Sequence, residues 1–179
     1  LSTMGMQQIK AVLAKDIPTK RYPLETECLT CQQVTFHQTY ELLCDTTIYT
    51  LLSTDKGVAF LLQCPEGTIY HAGDLNDWVW SGESEQYNRQ MTGSYRHEID
   101  LLQKYQQDFL SGKPIDHAFI PLDPRQEADY ANGILYFLKK IAVNKIYPMH
   151  FWDKPNIIEQ FIQEHPEYAK IVQNNFFNP

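Results

Sequence analysis

The sequence predicts an α/β fold in which a meander of strands gives way to alternating helices and strands, and three observations predict it. Between Gln33 and His71 β-forming residues dominate, in runs at Val34–His37, Thr46–Leu52, Val58–Gln63 and Thr68–His71. After Asp74 the pattern changes to helix, strand, helix, strand, helix, the order that pairs strands in parallel and covers them with helices. Three strand ends carry polar residues, at His71–Asp74, Pro121–Arg125 and Pro148–Trp152. In open α/β sheets functional groups gather just beyond the carboxyl ends of strands.

Each element follows from a local signal. A short helix is expected from Met4 to Lys15, closed by Asp16-Ile17-Pro18. The four β-forming runs read as a meander, with Pro65-Glu66-Gly67 as the hairpin between the last two and Gly67 available for a positive φ. Ile99, Leu102, Tyr105 and Phe109, with Leu101 and Leu110, share one side of a helix. Arg96, Glu98, Lys104 and Asp108 can face water, which predicts a helix over 95–110. A strand over 115–120, a helix over 127–142, a strand over 145–149 and a helix over 156–164 complete the order. With no repeat, linker or low-complexity tract, residues 1–179 read as one domain.

Composition removes several function classes. The 179 residues carry 22 acidic and 15 basic side chains, a net charge of −7. No positive field is therefore available for general binding of nucleic acid or anionic lipid. With 43% apolar and 21% charged residues, the chain is expected to bury a core. No window approaches the roughly eighteen consecutive apolar residues of a membrane span, nor is there a basic, apolar signal start, so the expected location is cytoplasmic. Cys28, Cys31, Cys44 and Cys64 are too few for a disulfide framework and read as reduced thiols. Cys28-x-x-Cys31 has neither the second pair of a zinc knuckle nor a surrounding thioredoxin-like unit, which leaves a redox role as the weakest reading. The serine-hydrolase elbow, the phosphate-binding loop and the dinucleotide fingerprint are all missing.

The candidate chemistry sits at the strand ends. Asp74 follows Gly73, where the backbone can turn tightly and aim a carboxylate out of the sheet; the alternative is a residue that only caps its own turn. His150, at the end of the strand over 145–149, suits a metal through one ring nitrogen, or else is a packed, hydrogen-bonded side chain. Two ligand-type residues at the ends of separate strands can meet at one site. Asp123-Pro124-Arg125-Gln126 reads first as a helix start, with Asp123 as N-cap and Gln126 reaching back. Arg125 is then either a scaffold residue or the holder of a substrate carboxylate or phosphate. Trp78 and Trp80 follow Asp74 closely enough to wall the site, or they anchor their loop to the core. His71 lies on the opposite strand face from Asp74 and is a candidate for support behind the ligands; His37, His97, His117 and His165 have no recognisable partners.

The run Ile69-Tyr-His-Ala-Gly-Asp-Leu-Asn-Asp-Trp-Val-Trp80, followed by Phe119-Ile-Pro-Leu-Asp-Pro-Arg125 and Tyr147-Pro-Met-His-Phe-Trp152, resembles bacterial metallo-β-lactamase-fold hydrolases. The resemblance implies an αββα sandwich and a dinuclear metal site, with zinc the expected ion and manganese or iron the alternatives. It implies that Asp74 bridges two metals and that His150 is the last histidine of the second. Asp55, in Ser53-Thr-Asp-Lys-Gly57, stands where the family places another metal-binding histidine, and a turn-forming aspartate before Gly57 is the alternative. The family's H-x-H-x-D-H run, which supplies most ligands of the first metal, does not occur in this sequence. The expected fold is thus a partial sandwich lacking its N-terminal strands, through either a missing segment or a truncated gene. Two functions follow as expectations: a metal-dependent hydrolase of a small molecule, in which metal-bound hydroxide attacks, or a catalytically degenerate relative that binds or dimerises through an exposed sheet edge, as a homodimer.

Overall fold

The computed structural model describes residues 9–17, 29–42 and 45–173. Strands β1 (Ile9–Ala14) and β2 (Leu29–Val34) form a parallel pair, in register from Ile9 opposite Leu29 to Ala14 opposite Val34. A second sheet of six strands runs in chain order: β3 (Thr39–Glu41), β4 (Thr47–Leu52), β5 (Val58–Cys64), β6 (Gly67–His71), β7 (Ile115–Pro121) and β8 (Val143–Met149). β3 to β6 are antiparallel, whereas β6, β7 and β8 are parallel. The parallel half needs crossovers, and two helices supply them: α1 (Glu85–Leu110) joins β6 to β7, and α2 (Asn132–Lys140) joins β7 to β8. Helix α3 (Asn156–Glu164) follows β8.

Strand alternation assigns the layers. Ala59 and Leu61 of β5 enter the main core with Tyr70, Ala118 and Ile146, against Ile99 of α1, Phe137 of α2 and Phe161 of α3. Val58 and the flanking Phe60 face the other way, where they meet Ala14 and Val34 of the β1–β2 pair. The result is a helix layer, a six-stranded sheet and a two-stranded second sheet, an α/β arrangement consistent with the partial αββα sandwich expected. Among the described residues no helix is long and apolar enough to cross a membrane.

Several boundaries differ from the sequence expectation. Where a helix is expected over Met4–Lys15, residues 9–14 form β1, and Met4 to Gln8 lie outside the described residues. Pairing with β2 and burial of Ala14 against Val58 override a weak helical preference. The run Val34–His37 is not a strand: β2 ends at Val34 and His37 turns into a left-handed conformation, φ 55°. Helix α1 starts ten residues early, at Glu85, capped by the Ser84 side chain, which accepts from the Tyr87 amide at 3.1 Å. The helix expected over 127–142 begins only at Asn132, as α2: residues Pro124–Asp129 form 3₁₀ structure kinked at Glu127, which adopts φ 52°. The Pro65–Gly67 hairpin forms as expected, with Cys64 paired to Gly67 and φ +145° at Gly67. Cys31 and Cys64 are free thiols; Cys28 and Cys44 lie outside the described residues.

Candidate functional site

The site is built where the three parallel strands end. Beyond β6, the Ala72 amide still donates to the Phe119 carbonyl (3.0 Å); then Gly73 takes φ +57° and the chain turns back, the Leu75 amide donating to the Ala72 carbonyl (3.0 Å). That turn delivers Asp74. A Cβ on Gly73 would meet the Val58 carbonyl oxygen at 3.2 Å, so the turn is tight as well as left-handed. At the end of β8, His150 and Trp152 both have positive φ, 62° and 53°. Each such non-glycine residue costs on the order of 1–3 kcal/mol, and such strain concentrates at functional loops. The two turns bring His150 Nε2 to 3.1 Å from Asp74 Oδ1.

A buried polar network holds the Asp74 turn. The Thr54 hydroxyl receives the Asn76 amide (3.0 Å) and donates to the Asn76 and Asp74 carbonyls at 2.7 and 3.3 Å. The Asn76 side-chain amide donates to Gln126 Oε1 (2.9 Å), and Gln126 Nε2 donates to the Asp77 carbonyl (2.6 Å). Asp77 Oδ1 accepts from the Thr92 hydroxyl of α1 (2.6 Å). Burial raises the Asp77 carboxyl above the usual carboxylate range despite that bond. Asn76, Asp77 and Gln126 are all buried, so this network ties β6, α1 and the 3₁₀ turn into one support. Gln126 therefore serves the Asp74 loop with its side chain, rather than reaching back to cap its own turn. Sequence reasoning missed these three as site residues: the polar pair Asn76-Asp77 just after Asp74 was the signal for two of them, and Gln126 read only as part of a helix start.

A second buried hub lies at the end of β7. Asp123 is fully buried and accepts from the Arg125 amide (2.9 Å), from Arg125 Nε at both oxygens (2.9 and 3.0 Å) and from Trp152 Nε1 (3.2 Å). Burial alone would raise the Asp123 carboxyl, but these donors outweigh it and hold the group below the ordinary range. The same contact raises Arg125.

A cleft of about 390 Å³ opens over the Asp74–His150 pair. Asp55, Asp74, Trp78, Arg125 and His150, five of the six sequence candidates, line it. Trp78 is 5% exposed and donates its indole N–H to the Asp74 carbonyl (2.8 Å), which makes it the cleft floor and a brace for the turn. Asp55 is exposed at the rim, its backbone amide bonded to Ser53 Oγ (3.2 Å). His71 is outside the cleft: its Nδ1 accepts from the Gly73 amide (3.1 Å) and its ring stacks on Phe119. Packing lowers the His71 pKa, and the nearby His150 lowers it further. His71 thus steadies the turn from behind, through the Gly73 backbone. Elsewhere, His37 Nε2 contacts both oxygens of buried Glu98 (3.0 and 2.9 Å), and His117 Nδ1 contacts the Tyr147 hydroxyl (3.0 Å), so both have partners that the sequence did not disclose.

The donor set can be tested against a metal. Two ligands of a tetrahedral zinc, each about 2.0–2.2 Å from the ion, stand roughly 3.3 Å apart, close to the spacing of Asp74 and His150. Catalytic zinc sites use three protein ligands. Among the described residues no group of three His, Cys, Asp or Glu side chains gathers to hold an ion, so Asp55 does not complete the pair. The described residues alone do not fit a catalytic metal centre.

No family model and no curated protein sequence matches this chain. Among solved structures it is similar to a Thermotoga maritima protein described as a Zn-dependent hydrolase of the metallo-β-lactamase superfamily, at 13% identity and TM-score 0.42, over 88% of this chain and 70% of that one. It is also similar to a mutant of the β-hydroxylase CmlA (11% identity, TM-score 0.46, 81% of this chain and 32% of that one). A third is Zn²⁺-bound PqqB from Methylobacterium extorquens (10% identity, TM-score 0.43, 82% of this chain and 50% of that one). The chain thus spans half or less of the length of the last two.

Proposed function

We propose that this chain is a hydrolase of the metallo-β-lactamase type, acting on a small molecule taken into the cleft above Asp74. One observation carries the reading: a carboxylate and an imidazole 76 positions apart in the chain meet at 3.1 Å at the ends of two strands, at the base of a cleft. The resemblance read in the sequence assigns metal binding to this same pair. Two donors are one short, so any catalytic ion also draws on donors other than the described side chains. The chain's own residues give the site its form. Trp78 and the Thr54–Asn76–Gln126 network fix Asp74, the left-handed turn after β8 fixes His150, and Asp123 fixes Arg125 and Trp152 at the wall. A cytoplasmic location fits the free thiols of Cys31 and Cys64.

Metal content of the full-length natural protein, measured beside its Asp74→Ala variant, tests the reading. The expected result is stoichiometric metal in the parent, with both metal and chelator-sensitive hydrolysis lost in the variant. Equal and negligible metal in both would remove it. The donor shortfall favours a second reading, a degenerate relative that binds a ligand or dimerises. A stable dimer in sedimentation, with no turnover on a hydrolase panel supplied with zinc or manganese, would establish that one instead.

A further inference from the structure

The cleft wall is a closed circuit of flat side chains. Trp78 stacks on Trp80 with ring centroids 5.7 Å apart and planes 3° apart. The Arg125 guanidinium lies 5.7 Å from the Trp80 ring and 4.6 Å from the Trp152 ring. His150 closes the circuit, 6.3 Å from Trp152 and 5.7 Å from Trp78. All three tryptophans of the chain are in this collar.

Trp152 is its open member. The residue is 60% exposed, the most exposed large apolar residue among those described, yet it is not loose. Its Nε1–H is bonded to buried Asp123 and its backbone is held in a left-handed conformation. A solvent-facing indole held at this cost in strain is a preformed platform, and a rigid aromatic anchor binds with little loss of side-chain entropy.

Charge decides what the platform takes. The sequence offered Arg125 as a holder of a substrate carboxylate or phosphate, but both Nε and Nη2 are engaged by Asp123, which compensates its charge. The carboxylates of Asp55 and Asp74 also line the cleft and repel an anion. The same carboxylates attract a cation, but the guanidinium already covers one face of Trp80 and of Trp152 and draws on their ring charge, which weakens cation–π binding on the remaining face of Trp152 and leaves that face to a neutral ring. Resting on the reading that the cleft takes the substrate, we infer that it recognises its substrate by a flat, uncharged group laid against Trp152, with Arg125 serving as part of the stack rather than as an anion clamp.

The test uses four probes of similar size: benzamide, benzoate, benzylammonium and cyclohexanecarboxamide. Because every tryptophan of the chain lies in the collar, intrinsic emission reports occupancy without any turnover. Benzamide is expected to bind saturably and roughly three- to tenfold more tightly than each of the other three, the range that ring stacking supports. That advantage should vanish in Trp152→Ala, persist in Trp152→Phe and persist in Phe109→Ala, an exposed aromatic on α1. Benzoate or benzylammonium binding as tightly as benzamide would overturn the inference, as would equal binding of the non-planar amide, no saturable binding, or an unaffected Trp152→Ala. Failure here leaves the metal and turnover measurements untouched. Conversely, benzamide binding in a protein without hydrolysis would sink the hydrolase reading and keep this one.

Discussion

Gly133, near the start of α2, is pressed against the loop that carries Asp74. A Cβ there would lie 1.9 Å from Asn76 Oδ1, 3.1 Å from its Cγ and 3.3 Å from the Asp77 amide nitrogen. Two effects of Gly133→Ala oppose each other. Alanine favours the helix by about 0.5–1 kcal/mol. Against that, Asn76 is 1% exposed and must move by more than an ångström, breaking its bond to Gln126 in a site with no room to relax. Overpacking costs about 1–3 kcal/mol, and a buried polar group left without its partner about 1–3 kcal/mol. The contact should win, with a net destabilisation of about 2–4 kcal/mol. For a chain of this size that is a drop of roughly 4–16 °C in Tm. Urea unfolding of the parent, Gly133→Ala, Asn76→Ala and the double variant reads it directly. In the Asn76→Ala background the added methyl should be neutral or stabilising, so the cycle should return a coupling of about 2 kcal/mol or more. A Gly133→Ala protein as stable as the parent, or a coupling near zero, would refute the reasoning.

Two further outcomes follow from the buried carboxylates. Asp123 has a folded pKa below its unfolded value of about 3.9, so its stabilisation is complete above that pH and is lost as pH falls through the lower folded value. Asp123→Asn should therefore cost about 2–4 kcal/mol at neutral pH, with the deficit against the parent shrinking below about pH 4; a deficit constant across an acid titration of stability would contradict this. Glu98 is buried and accepts from His37 Nε2 and the Leu52 amide (3.0 Å), so His37→Ala should cost about 1–3 kcal/mol by leaving the carboxylate half satisfied, and a change under about 0.5 kcal/mol in urea unfolding would show the contact to be idle.

What could be read from the sequence was whatever local pattern decides. The strands β4 to β8 announce themselves because each buries alternate residues in the helix-covered core, as Leu51, Leu61, Tyr70, Ala118 and Ile146 do. β1 did not, because its partner β2 is about twenty residues away and parallel pairing leaves no turn signal between neighbours. The first ten residues of α1 were missed for the opposite reason. Glu85 to Ser94 are almost all exposed or half-buried, so they show no apolar stripe, and only the Ser84 cap marks the start. At the site, Asp74 and His150 were legible as ligand-type residues at strand ends, and the structure brings them together. The hub at Asp123 was half legible. Its cap on the Arg125 amide is local, whereas its grip on Trp152, 29 positions away, exists only once β7 and β8 lie side by side.

The meeting of Asp74 and His150 is a property of backbone turns before it is one of charge. Neighbouring strands lie about 4.8 Å apart, so β6 and β8, with β7 between them, run roughly 10 Å apart. Side chains that continued straight from the two strands would not touch. The gap closes because both chains bend inward over the end of β7, at Gly73 with φ +57° and at His150 with φ 62°. β7 fixes both bends: its Phe119 carbonyl accepts the Ala72 amide, and the Leu122 amide just beyond it donates to the Met149 carbonyl (2.8 Å). The two left-handed turns, unstrained at Gly73 and strained at His150, are thus the physical origin of the 3.1 Å contact. It follows that substitutions of the Asp74 or His150 side chain report on chemistry in an otherwise intact cleft, whereas a substitution at Gly73, already crowded by the Val58 carbonyl, reports on the geometry that creates the cleft.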